Sequence, residues 1–170
     1  MIMTGNHTTA LMHLLAWTEL HRLRVTQTWS ITKIRAEQTV ILHPTSHDQR
    51  EGKFDFYAET PTKTIGFEVL TRPSKGKLLK KFIYRPEVDE FVFILPNDAL
   101  SKYRRKERFG RRVQSHFLLP SQFGERGLFV WLIDLQDRRI VAKEPFFKIY
   151  NVDPNGHAPK KGKKSRRRRT

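Results

Sequence analysis

Asp55, in Lys53-Phe54-Asp55-Phe56-Tyr57, and Glu68, in Ile65-Gly66-Phe67-Glu68-Val69-Leu70, are lone acids set among aromatic and branched residues. Burying an unpaired carboxylate is costly, so in a chain this basic each acid must be solvated, paired or given to a metal. Two of them on adjacent candidate strands point to a cation site. Mg2+ (or Mn2+) suits such a site, because magnesium takes oxygen ligands and keeps several waters, so one or two carboxylates plus a substrate phosphate suffice. The ion would lower the pKa of a bound water and stabilise charge on a phosphodiester. Glu19, beside the apolar stripe of the first candidate helix, is a further candidate near the metal. The competing reading puts Asp55 and Glu68 on solvent faces, paired with lysines such as Lys53 and Lys63, and pairs Glu19 with Arg22 or Lys33. Strand alternation argues against it for Glu68, whose side is shared with Gly66 and Leu70 while Phe67 and Val69 face the other way.

The elements that must position these acids follow from pattern. Thr8 to Val25 reads as a helix, with Leu11, Met12, Leu15, Ala16, Leu20 and Leu23 at spacings of three and four and Thr8 or Thr9 as cap. Branched residues between Trp29 and Leu42 predict one or two strands, and the polar stretch from His43 to Gly52 a loop. Lys53 to Glu59 and Thr64 to Thr71 form a strand pair joined by Thr60-Pro61-Thr62-Lys63. Ser74 to Tyr84 has Leu78, Leu79, Phe82 and Ile83 at helical spacing, closed by Pro86. Glu90 to Pro96 is an apolar run of the kind buried on both faces of a sheet. Strand, helix, strand at this spacing implies a parallel crossover.

Beyond it, Asn97 and Asp98 are placed to cap a basic helix from Ala99 to Arg112. A short strand from His116 to Leu119 and a strand pair, Gly127 to Leu135 and Arg139 to Tyr150, complete the pattern. The fold class is therefore α/β, a single domain over 1–153 with a central mixed β-sheet flanked by helices. Residues 154–170 form a disordered basic tail marked by Pro154, Gly156 and Pro159.

The formal charge is +16, from 33 basic and 17 acidic residues. Eight of the basic residues crowd into 160–169, and those outside still exceed the acids by eight. A polyanion is the expected partner. No stretch approaches the roughly 18 to 20 apolar residues that span a bilayer, so a membrane is not. With no cysteine, thiolate metal sites, disulfides and cysteine nucleophiles are excluded, and the chain reads as intracellular, cytoplasmic or nucleoid-associated. Lys75, Lys77, Lys80 and Lys81, then Lys102, Arg104, Arg105, Lys106, Arg108, Arg111 and Arg112, are the candidate phosphate contacts. The second group holds seven basic residues against one acid, Glu107, an imbalance poorly suited to an ordinary solvated face. The tryptophans and most phenylalanines lie inside predicted elements and read as core.

From Lys53 to Pro96 the chain resembles the core of the PD-(D/E)XK nuclease superfamily, which includes Holliday-junction resolvases, restriction enzymes and virus-encoded nucleases. Asp55 matches that family's first acid and Glu68 the second, with twelve residues between them. Lys77, Lys80 and Tyr84 fall on the helix that follows, and Asp89 to Pro96 on the next strand. The resemblance implies a restriction-endonuclease-like fold, a magnesium- or manganese-dependent endonuclease with Asp55 and Glu68 as ligands, and DNA as substrate, with RNA also open and a homodimer a common arrangement. The family's motif lysine, two residues after the second acid, is replaced here by Leu70. Lys75 or Lys77 is then the expected source of the missing ammonium. The alternative reading is a noncatalytic DNA-, RNA- or ribonucleoprotein-binding protein that has kept the shape; a third is an adaptor whose tail alone contacts nucleic acid.

Overall fold

The computed structural model describes residues 5–45 and 47–154; the expected tail lies, from residue 155 on, outside the described residues. Helix α1 (Gly5–Val25) is followed by strands β1 (Lys33–Leu42), β2 (Arg50–Glu59) and β3 (Thr64–Val69), then helix α2 (Lys75–Lys81) and strand β4 (Glu90–Pro96). A hairpin, β5 (Lys106–Arg108) and β6 (Arg111–Val113), precedes β7 (Leu128–Asp134), β8 (Arg139–Pro145) and a helical turn, α3 (Phe146–Ile149). Six strands make one mixed sheet in the order β1-β2-β3-β4-β7-β8. Its centre, β3-β4-β7, is parallel and its flanking pairs are antiparallel.

The apolar patterning explains the layers. Met12, Ala16, Leu20 and Leu23 are buried and form the stripe that α1 lays against Phe56, Ile65, Phe67 and Val92 on one sheet face. On the other face Leu78 of α2 and Phe146 of α3 pack with Phe91, Phe93 and Leu95. Strand β4 thus feeds alternate residues to two cores, as its continuous apolar run requires. Each fully buried side chain of this kind contributes roughly 1.5–3 kcal/mol. A charge at Phe93, which has no exposed surface, would break that centre.

Several boundaries differ from expectation. Helix α1 starts at Gly5, so Thr8 and Thr9 lie inside it. Ser74 caps α2 by accepting from the Lys77 N–H at 3.2 Å, but the helix gives way at Phe82 to a 3-10 turn running to Glu87 with Pro86 inside it. Proline lacks an N–H and disfavours α geometry just before it, which shortens the expected helix. The basic helix expected from Ala99 to Arg112 is absent. Leu100 sits at φ 56°, in the left-handed region, and is followed by a three-residue 3-10 turn and then the β5–β6 hairpin. Seven cations with one acid repel along a helix, and the segment has no apolar stripe to anchor one. His116 to Leu119 forms no strand beyond a single pairing of Leu119 with Val152, and β8 ends at Pro145 rather than Tyr150.

Candidate active site

Strands β2 and β3 pair from Glu59↔Thr64 to Phe56↔Phe67 and then part. In the gap, side chains take over the hydrogen bonding of the ladder. The Asp55 N–H donates to Glu68 Oε2 at 2.8 Å, and the Val69 N–H donates to Asp55 Oδ2 at 2.8 Å. Strand β2 changes character at the same point, since Phe54 belongs to the α2-side core and Phe56 to the α1-side core although alternation would put them on one face. Opposite Asp55 on β1, Glu37 is at φ 53°. Gly66 makes the fork possible: a Cβ there would lie 2.4 Å from the ring of Phe54, which packs between Tyr84 and Phe91.

Each acid has a cation on its own side. Glu68, 1% exposed, forms a 2.7 Å ion pair with Lys81 of α2. Asp55, about one-third exposed, faces His13 of α1, with Nε2 3.6 Å from Oδ1. The other imidazole nitrogen, Nδ1, lies 2.9 Å from the Thr9 carbonyl oxygen and is suited to donate to it. That leaves Nε2 toward a carboxylate, so a proton on Nε2 is favoured and the His13 pKa is raised, chiefly by Asp55. Burial pushes Asp55 upward, yet His13 and the Val69 N–H together hold it below the ordinary value. Glu68 goes the other way: burial first, then the Asp55 charge, lift it to about 7 despite Lys81. Burial pulls the Lys81 pKa down, but Glu68 more than offsets this and the net shift is upward. The two adjacent acids are thus driven apart, Asp55 down and Glu68 up.

Neither flanking cation was among the residues expected to be catalytic or to hold the metal. His13 lies far from Asp55 in sequence, and its position within α1, between Met12 and Leu14, gave no sign of which strand it would face. Lys81 was grouped with the phosphate contacts, whereas it supplies the ammonium beside Glu68. Lys77 instead donates to the Arg72 carbonyl at 2.9 Å, and Lys75 is exposed. Leu70, at the motif-lysine position, packs with the α2-side core. Glu19 is engaged elsewhere, by Arg22 and by Lys143, whose ammonium lies over Trp29 and Trp131.

The remaining candidates divide by surroundings. Tyr84 packs on Phe54, with Lys81 5.3 Å above its ring. Arg104 donates to the Asn97 carbonyl and Arg105 to that of Phe147, so both tie down the main chain. Arg112 donates to Lys148 O at the foot of the hairpin. Lys80, Arg108 and Arg111 are exposed.

A hollow of about 440 Å³ lined by His13, Trp17, Glu37 and Asp55 opens onto Asp55 from the α1 side, while Glu68 is not among its lining residues. A second, of about 570 Å³ against Trp29, Ile65 and Trp131, is not lined by either acid, and its Lys63 and Lys143 are paired with Glu90 and Glu19. Among the described residues no three His, Cys, Asp or Glu side chains gather as a metal cage. Magnesium needs only one or two carboxylates, and a divalent charge beside Asp55 and Glu68 would favour the ionised Glu68 that burial, and then the Asp55 charge, disfavour. No helix among the described residues is long and apolar enough to cross a membrane. No protein-family profile matches the chain, and neither a curated protein nor a solved structure is similar to it beyond chance.

Proposed function

We propose that the protein binds nucleic acid and cleaves DNA phosphodiester bonds with a divalent metal at Asp55 and Glu68. The observation that carries this reading is the reciprocal bonding of the two acids across the β2–β3 fork, with the Lys81 ammonium 2.7 Å from Glu68. The order helix, antiparallel strands, helix, parallel strand supports the resemblance to PD-(D/E)XK nucleases, and Lys81 supplies from α2 the charge that Leu70 lacks. Magnesium or manganese held by Asp55 and Glu68 would polarise the phosphate and lower the pKa of a bound water. Lys81 holds Glu68 in place and offsets its charge beside the phosphate. His13 faces Asp55 from the α1 side, 3.6 Å from Oδ1, and would be the group to hand a proton to the leaving oxygen. The exposed lysines of α2 hold the backbone of the substrate.

A noncatalytic nucleic-acid-binding protein is the second reading. It is favoured by Leu70 and by the protein partners that the four carboxylate oxygens already have.

The deciding experiment incubates wild type, Asp55→Ala and Glu68→Ala with linear, single-stranded and branched DNA and with RNA under magnesium or manganese, with binding measured in calcium. The expected result is divalent-dependent cleavage of DNA by wild type alone, with binding by both variants unchanged or tighter because negative charge has left the phosphate site. No cleavage of any substrate under any divalent ion gives the noncatalytic reading, and a variant that cuts like wild type removes its acid from the site.

A further inference from the structure

The β5–β6 hairpin turns on two residues, Phe109 at φ 53° and Gly110 at φ 80°, between the paired Arg108 and Arg111. Positive φ at both central residues is the type I′ pattern, which suits Asn-Gly and strains a bulky side chain in the first position. Phenylalanine stands there nonetheless, and it is 96% exposed. The hairpin therefore holds a large apolar ring in water, at a position where a small polar residue would be at ease.

The surroundings say what the ring meets. Lys106, Arg108 and Arg111 are exposed, and among the described residues none of them forms an ion pair within the chain. The foot of the arm is fastened: Arg112 donates to the Lys148 carbonyl, Arg105 to that of Phe147, and Ser115 Oγ to that of Lys102. Its orientation is thus fixed by the body. The chain reaches it from the C-terminal end of β4, through the turn Ser101–Tyr103. There Leu100 to Tyr103 face Pro73 to Gly76, the approach to α2, across a hollow of about 470 Å³.

We infer that the β5–β6 arm enters a groove of duplex DNA, with Lys106, Arg108 and Arg111 against the phosphates and Phe109 wedged between neighbouring base pairs. A two-stranded ribbon fits a groove of B-form DNA, and apolar wedges unstack a base step and bend the duplex. A-form RNA, with its deep and narrow major groove, is the poorer fit. The substrate class is then duplex DNA that bends or opens readily. The inference rests on the nucleic-acid-binding half of the proposed function and is independent of cleavage.

The test uses the full chain in calcium with a short duplex that carries end-to-end fluorophores and an internal 2-aminopurine. Wild type should bend the duplex and raise 2-aminopurine fluorescence on binding. Phe109→Asn creates the sequence that the turn prefers, so the arm stays folded. It should lose both signals and about tenfold or more in affinity while keeping the salt dependence. Arg108→Ala with Arg111→Ala should instead lower the slope of log affinity against log salt by about 2. Bending and affinity unchanged in Phe109→Asn would overturn the wedge, as would tighter binding to anionic phospholipid vesicles than to DNA that disappears with Phe109. If these signals behave as expected and no divalent ion supports cleavage, the catalytic reading fails alone. If Asp55→Ala loses cleavage while Phe109→Asn matches wild type, the arm fails alone.

Discussion

Asp55 and Glu68 each accept a main-chain hydrogen bond at 2.8 Å across the β2–β3 fork, Glu68 from the Asp55 N–H and Asp55 from the Val69 N–H. Their carboxylates therefore continue the sheet where its ladder stops, and they do so beside each other with opposed pKa shifts. The consequences are measurable.

Stability should fall with rising pH across the range in which Glu68 ionises. Its pKa rises from about 4.5 to about 7 on folding, so between these values the folded chain keeps a proton that the unfolded chain has released. This stabilisation is complete below about 4.5 and is lost as pH passes about 7. His13, also raised, continues the loss above its ordinary value of 6.5. Asp55, lowered, acts oppositely and loses its contribution only as pH drops below 3.8. Thermal melts at pH 5 and pH 8 should show a smaller difference for Glu68→Gln than for wild type; an equal difference would mean that Glu68 ionises normally.

Lys81→Ala should reduce cleavage far more than binding, since its ammonium sits beside Glu68 rather than out on the surface. The fold should lose about 1–3 kcal/mol, limited because Glu68 can take up a proton once its partner is gone. Lys75→Ala and Lys77→Ala should lower binding and cleavage in equal proportion. A larger loss of turnover in either of them than in Lys81→Ala would return the catalytic ammonium to the start of α2. Single-turnover rates alongside affinities separate the cases.

Gly66→Ala should destabilise the chain by about 1–3 kcal/mol, because the new methyl group meets the Phe54 ring and pushes on the residue before Asp55. Phe54→Leu in the same chain should restore part of the loss. Denaturant melts of the single and double variants check this, and additive losses would show that Gly66 and Phe54 are not coupled.

A chain ending at Asp153 should still bind DNA with a log–log salt slope of about −5, from roughly six exposed cations at about 0.9 each. Removing the rest should weaken binding without altering the preference among DNA shapes, because the eight cations of 160–169 add charge that every phosphate backbone meets alike. A flat salt response would remove the basic face from the account.

The β2–β3 pair, β4 and the side on which Glu68 lies were legible because alternation and continuous apolar runs report burial directly. Phe67 and Val69 do face the α1 core while Leu70 joins the other. The partners of the acids were not legible. Lys81 reaches Glu68 only through the way α2 docks after β3, and Lys75, Lys77 and Lys80 carry the same chemistry within about two turns of it. His13 meets Asp55 through packing between elements distant in the chain. The basic stretch misled because Asn97 and Asp98 resemble a helix cap, whereas Leu100 turns left-handed and Phe109-Gly110 reverses the chain.

Because the fork replaces ladder bonds with carboxylates, two main-chain hydrogens owe their protection from solvent to side chains. The amides of Asp55 and Val69 should exchange with deuterium slowly in wild type, the first quickening in Glu68→Ala and the second in Asp55→Ala, while neighbours such as Phe67 stay slow. The backbone itself thereby reports, residue by residue, which of the two acids is in place.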